Sequence, residues 1–74
     1  MLPSEASKLI YQETYDASQR YPSFHSLHES YAVLKEEVDE LWEEIKKKDR
    51  DPEQIKKEAI QVGAMALRLL VDLC

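Results

Sequence analysis

Residues 28–48 read HESYAVLKEEVDELWEEIKKK and carry two helical patterns at once. The first is an apolar seam whose members recur at spacings of three and four: Leu27, Tyr31, Leu34, Val38, Leu41 and Ile45. The second is an acidic flank beside the seam, made of Glu37, Glu40 and Glu44. Residues three and four apart are neighbours on a helix, so both sets predict one amphipathic helix. Carboxylates gathered on one flank repel one another, which makes this flank the first candidate for a functional site.

Local signals predict where this helix begins and ends. Ser26 followed by Glu29 matches a capping box, in which the serine accepts a hydrogen bond from the backbone of the first turn. The lysines at 46–48 carry the charge favoured at a helix C-terminus. We therefore expect the helix to cover about residues 26–48.

Prolines mark two further helices. Pro3 suits the first turn of an N-terminal helix, and Pro22 ends that helix because it pushes the preceding residue out of the helical region. Asp51 can cap a third helix that has Pro52 in its first position. The chain is thus predicted to form one domain of three helices, covering about 3–20, 26–48 and 52–73.

The third helix is apolar on two sides. One seam contains Ile55, Ala59, Val62, Ala66, Leu69 and Leu73, and the other contains Ile60, Gly63, Leu67 and Leu70. The turn before this helix is too short for anything but an antiparallel hairpin, so the second helix covers one side. We expect a second copy of the chain to cover the other side. The predicted fold is all-α: a helical hairpin with an N-terminal helix, completed to a four-helix bundle by forming a homodimer or homotetramer.

Composition limits the possible functions. A chain of 74 residues hides only about 60% of its unfolded surface, so its own core is small. The net charge of −5 argues against a nucleic-acid polymer as partner, because phosphates would be repelled. No apolar stretch is long enough to span a membrane. The single Cys74 cannot form an intramolecular disulfide, and we expect a cytoplasmic location.

The hairpin is expected to place acidic residues of its two helices at the same height. Glu40 lies nine residues before Asp49 and Glu58 lies nine after it, with Glu37 and Gln61 one turn further from the turn. The four side chains can form a rough square of oxygen ligands. Oxygen ligands of this kind suit Mg²⁺, with Mn²⁺ as an alternative. Such an ion polarises a phosphoryl group and lowers the pKa of bound water.

Residues 35–45, KEEVDELWEEI, resemble the first signature of the MazG-like all-α nucleoside triphosphate pyrophosphohydrolases, EExxE followed by Leu. The second family signature, ExxD on the next helix, is matched in spacing by residues 58–61, which read EAIQ. The resemblance covers about residues 26–73 and implies Mg²⁺-dependent hydrolysis of a nucleoside triphosphate to a monophosphate and pyrophosphate.

Roles for individual residues follow from this resemblance. Glu37, Glu40 and Glu58 would be metal ligands, with Gln61 in the position of the family's Asp. Glu36 matches the first Glu of the signature and, with Glu37, would act in catalysis by supporting the metal or orienting water.

Three positions leave alternatives open. Gln61 offers a carbonyl oxygen but no charge, so the rival hypothesis is a non-catalytic oligomerisation module that keeps the family's fold. Arg68 can bind a substrate phosphate, although we favour an i,i+4 ion pair with Asp72. Trp42 lies on the far side of the seam from the acidic flank and is expected in an interface or in the core.

Overall fold

The computed structural model describes all 74 residues and contains three helices and no strands. Helix α1 covers Pro3–Arg20, α2 covers Leu27–Ile45 and α3 covers Pro52–Leu73. The prediction of an all-helical fold is confirmed. None of the three helices is both long enough and apolar enough to cross a membrane.

Side chains at the helix ends explain where two helices begin. The Ser26 hydroxyl accepts from the Glu29 backbone N–H at 3.0 Å, and the Glu29 carboxylate accepts from the His25 N–H at 2.8 Å. The pair resembles a capping box over the first turn of α2, with the Glu29 carboxylate bound to the N–H one residue before the N-cap. At α3, the Asp51 carboxylate accepts from the Glu53 N–H at 3.0 Å, with Pro52 in the first helical position. Both N-termini therefore satisfy a backbone donor that would otherwise be unpaired.

The C-terminus of α2 differs from the prediction. The helix ends at Ile45, so residues 46–48 do not form its last turn. The Arg50 Nε–H donates to the Ile45 carbonyl oxygen at 2.7 Å, and the Lys46 ammonium lies 2.8 Å from the Glu43 carboxylate. A cation from the following turn thus binds a terminal carbonyl that one more helical turn would have used.

Helix α3 is the centre of the fold. Both α1 and α2 pack against it, whereas the backbones of α1 and α2 do not approach each other closely. Within one chain, α1 occupies the side of α3 for which we expected a second copy. Helices α1 and α3 approach closely at Gly63, where an added Cβ would lie 2.8 Å from Ile10 Cδ1. A side chain added at this crossing would therefore have to displace the end of the Ile10 side chain.

The core lies between the three helices and the loop that joins α1 to α2. It consists of Ala17, Phe24, Ala64 and Met65, with Val33, Leu34 and Leu73 packed against it. On α3 the buried residues are Ala64, Met65 and Arg68, and none of these belongs to the two seams predicted for that helix. The reason is geometric. The stripe with Ala64, Met65 and Arg68 faces the groove between α1 and α2, so both helices cover it. Each of the two predicted seams is covered by one helix only.

One face of α2 remains apolar and exposed. Leu27, Tyr31, Val38 and Trp42 are between 44% and 63% exposed. They are the outer part of the predicted seam together with the tryptophan beside it, while the inner part of the seam is half-buried against α3. Trp42 is therefore not a core residue within the single chain. Exposed apolar patches of this kind are common at sites where another protein binds.

Candidate metal centre and adjoining cavity

Three glutamates converge where α2 packs against α3. Glu37 and Glu40 lie one turn apart on α2, and Glu58 faces them from α3. One carboxylate oxygen from each residue can be chosen so that all three lie within 4.8 Å of one another. The antiparallel hairpin produces this proximity, because residues at equal distances from the connecting turn stand at equal heights. We call these three residues the acidic triad.

The triad carries the most perturbed carboxyl group of the chain. Burial and the nearby charges of Glu40 and Glu58 raise the pKa of Glu37 from 4.5 to about 7, and a hydrogen bond with Glu40 and the charge of Glu36 add to this effect. Burial, followed by the charge of Glu40, also raises the pKa of Glu58. A divalent cation bound here would lower both pKa values again, because it favours the charged form of every carboxylate around it.

The oxygen atoms fit a hard cation. The Glu58 Oε2 atom is shielded from solvent and has no hydrogen-bond partner. No lysine or arginine forms an ion pair with any member of the triad. Two oxygens bound to one Mg²⁺ lie at most about 4.2 Å apart, so small side-chain rotations would bring the three oxygens to coordinating positions. The donor set and the unpartnered oxygen therefore suit Mg²⁺, and the role of the triad as metal ligands stays a prediction.

Gln61, the fourth predicted ligand, is hydrogen bonded to a residue of α1. The Gln61 Nε2–H donates to the carboxylate of Glu13 on α1, and the same carboxylate lies 3.5 Å from an Arg20 nitrogen. The hydrogen bond leaves the Gln61 carbonyl oxygen as the group available to a cation. Glu13 also brings a carboxylate next to Gln61.

Glu13 could not be predicted from its place in the sequence. It lies on a helix without a motif, and only the packing of α1 on α3 brings it to Gln61. No spacing rule connects two residues separated by 48 positions and an irregular loop.

The remaining acidic residues of α2 have distinct surroundings. Glu36 is exposed beside Glu37, where it can reach a water molecule without giving up another partner. Glu44 is one turn beyond Glu40, and its carboxylate lies 2.7 Å from the Lys47 ammonium. Glu44 is thus paired with a cation of its own chain, and its charge still adds to the effects that raise the pKa of Glu58.

A cavity of about 460 Å³ adjoins the triad. Its walls are the end of α1, the loop that follows it, and the facing sides of α2 and α3. Glu37 and Gln61 line the end nearest the triad, while Tyr21 and Phe24 provide aromatic walls. The volume falls within the range of about 300–1,000 Å³ that is typical of small-molecule sites. Because Glu37 belongs to both features, a molecule in the cavity would lie beside the triad.

Arg68 also lines this cavity and is only 5% exposed. One Nη–H donates to the Pro22 carbonyl oxygen at 2.9 Å, and the guanidinium stacks 4.4 Å from the centroid of the Phe24 ring. The ion pair with Asp72 that we favoured from the sequence does not form, because the Asp72 carboxylate accepts from the Phe24 N–H at 3.0 Å. Arg68 and Asp72 are four residues apart, a spacing that suits an ion pair on a helix. The loop between α1 and α2 instead binds Arg68 through Pro22 and Asp72 through Phe24.

Comparison with known proteins found no match to a protein-family model, to a curated protein or to a solved structure. The resemblance to the pyrophosphohydrolases therefore continues to depend on the two short motifs and on the positions of their residues.

Proposed function

We propose that the chain is a Mg²⁺-dependent nucleoside triphosphate pyrophosphohydrolase, with Mn²⁺ as a possible substitute. The observation that supports this proposal best is the convergence of Glu37, Glu40 and Glu58 at the edge of a cavity of ligand size. A cation held there would neutralise phosphate charge and lower the pKa of a bound water.

The chain's own residues have separate tasks in this proposal. The acidic triad binds the cation through one oxygen of each residue, and the Gln61 carbonyl oxygen adds a neutral ligand. Glu36 accepts the proton of the attacking water, whose oxygen forms a bond to phosphorus as the bond between the α- and β-phosphates breaks. The products are a nucleoside monophosphate and pyrophosphate. The cavity positions the rest of the substrate beside the triad.

We further propose that the exposed face of α2 joins copies of the chain into a homodimer or homotetramer with a four-helix bundle. Four large apolar side chains on this face have no cover within the chain, and only 6 of 74 residues are buried. A protein with so small a core gains stability when it buries such a face. The interface would lie outside the cavity, because none of these four residues lines it.

The activity is tested by measuring pyrophosphate release from a panel of nucleoside and deoxynucleoside triphosphates, with Mg²⁺, with Mn²⁺ and with EDTA. We expect release from at least one nucleotide, only in the presence of metal. Glu58→Gln should reduce it by about two orders of magnitude or more, since it removes a metal ligand. Glu43→Gln is the control, because Glu43 is an exposed glutamate of α2 that lies outside the triad. No release from any nucleotide at micromolar protein would remove the catalytic proposal.

A second candidate is a non-catalytic assembly module with the same fold. It is favoured by one observation: Gln61 stands at the position of a carboxylate, and its amide is hydrogen bonded to Glu13. This alternative predicts no pyrophosphate release and no rise in melting temperature with Mg²⁺. A functional metal site instead stabilises the fold by mass action, because the unfolded chain lacks it.

A further inference from the structure

We infer that Arg68 is a receptor for a phosphate group carried on a small organic molecule that occupies the cavity. This inference adds a second anion position to the proposed function and does not depend on a cation at the acidic triad.

The first argument is the lack of a charge partner. Arg68 is nearly fully buried, yet it takes part in none of the ion pairs of the chain. Its guanidinium has five N–H donors, and its partners are one carbonyl oxygen and one methionine sulfur at 3.7 Å. A buried cation is costly unless an anion compensates it. The Arg68 guanidinium therefore has room in its hydrogen bonding for an anion, and no carboxylate of the chain is bound to it.

The other arginine of the cavity is already paired. Arg20 lies 3.5 Å from the Glu13 carboxylate. It is also exposed, so solvent screens its charge. Arg68 is buried and forms no ion pair, and the two carboxylates that line the cavity, those of Glu29 and Glu37, do not pair with it.

The second argument is the rigid presentation of the guanidinium. The Pro22 carbonyl and the Phe24 ring hold it on two sides, so the group has little freedom to lose when a ligand binds. A planar guanidinium fork suits the oxygen atoms of a phosphate. The cavity is many times larger than a bare phosphate ion, which favours a phosphate attached to a larger group.

The position also separates this anion from one bound at the triad. Arg68 lies ten residues after Glu58, a rise of about 15 Å along α3. Its side chain leans toward the N-terminus of the helix, as the contact with Met65 shows, which leaves a separation on the order of 10 Å. A phosphate on Arg68 is therefore distinct from a phosphate on a triad-bound cation.

The experiment is a titration of the whole chain, in EDTA and at constant ionic strength, followed by NMR of the arginine Nε–H signals. The probes are inorganic phosphate, adenosine 5′-monophosphate, adenosine and acetate. We expect the monophosphate and phosphate to shift the Arg68 signal saturably and more than the Arg20 or Arg50 signals. The monophosphate should bind more tightly than phosphate, and adenosine should leave the Arg68 signal unchanged.

Variants provide a second readout by calorimetry. Arg68→Met keeps an unbranched apolar stem in place of the arginine stem and should weaken binding of the monophosphate by at least about tenfold, since it removes charge-assisted hydrogen bonds. Arg50→Met is the matched control, because Arg50 lies in the exposed turn outside the cavity. If Arg68→Met does not fold, the NMR titration of the natural sequence decides alone.

Three results would overturn the inference. Two are no saturable shift of the Arg68 signal with either phosphate probe, and equal affinity in a folded Arg68→Met variant. The third is acetate binding as tightly as phosphate, because the site would then not discriminate a phosphate from a carboxylate. Binding in EDTA without pyrophosphate release in Mg²⁺ would retain the receptor and reject only the proposed catalytic function.

Discussion

Replacing Glu37 by glutamine should stabilise the metal-free protein at pH 8 and leave its stability nearly unchanged at pH 4. In the folded chain the pKa of Glu37 is about 7, compared with an ordinary value of 4.5. The folded state therefore holds this proton at pH values where the unfolded state has lost it. Stability decreases as the pH rises from 4.5 to 7, because unfolding then releases a carboxylate from an unfavourable site. Glutamine has no proton to lose and avoids this penalty.

The expected size of the effect follows from the same values. The difference between a pKa of 4.5 and one of about 7 corresponds to roughly 3 kcal/mol at full effect. Glu37 retains some contact with solvent, which screens its neighbours, so we expect about 1–2 kcal/mol. For a domain of this size, each kcal/mol changes the melting temperature by about 4–8 °C.

The assay is thermal unfolding followed by circular dichroism at 222 nm, in EDTA, at pH values between 4 and 8. The natural sequence, Glu37→Gln and Glu43→Gln are compared. Glu43 is exposed on the same helix and pairs only with Lys46, so its substitution removes one charge without touching the triad.

The sign of the stability difference between Glu37→Gln and the natural sequence decides the test. Glu37→Gln should become more stable than the natural sequence as the pH rises, whereas Glu43→Gln should show no such trend. Mg²⁺ at pH 8 should then raise the melting temperature of the natural sequence more than that of Glu37→Gln, because the variant lacks a charged ligand. A Glu37→Gln protein that is less stable at pH 8, or a difference independent of pH, would refute the account of the triad as mutually repelling carboxylates.

Three further predictions concern the fold and the assembly. Gly63→Val should destabilise the chain by about 1–3 kcal/mol in urea unfolding, since Ile10 leaves no room for a side chain, while Gly63→Ala should be milder because alanine favours the helix. Ser26→Ala should cost about 1 kcal/mol in the same measurement and increase amide exchange at Glu29, whose N–H loses its acceptor. Trp42→Glu should convert an oligomer to a monomer in size-exclusion chromatography with light scattering; an unchanged mass would reject α2 as the interface.

Much of the fold could be predicted because the signals are local. The cap at Ser26, the Asp51–Pro52 helix start and the break at Pro22 each depend on neighbouring residues, and the structure has helices that begin or end at these positions. The end of α2 was predicted too late, because Arg50 binds the Ile45 carbonyl from beyond the helix. A side chain that reaches back across a turn leaves no periodic signal.

The acidic triad could be predicted for the same reason. A short turn between two helices fixes their antiparallel direction, and counting residues from the turn then places Glu37 and Glu40 opposite Glu58. The cavity, the surroundings of Arg68 and the contact of Glu13 with Gln61 could not be predicted. Each depends on how α1 and the following loop pack on α3, over separations of 46 to 48 residues.

The amino-acid sequence by itself determined three amphipathic helices, the hairpin and the acidic triad, because helix periodicity and a short turn act over a few residues. Only the tertiary structure decided which stripe of α3 is buried, which helix covers Gly63 and which face of α2 remains exposed. The physical reason is that burial is a property of packed surfaces. An apolar seam shows that a helix needs a cover, but the identity of that cover depends on every other element that competes for it.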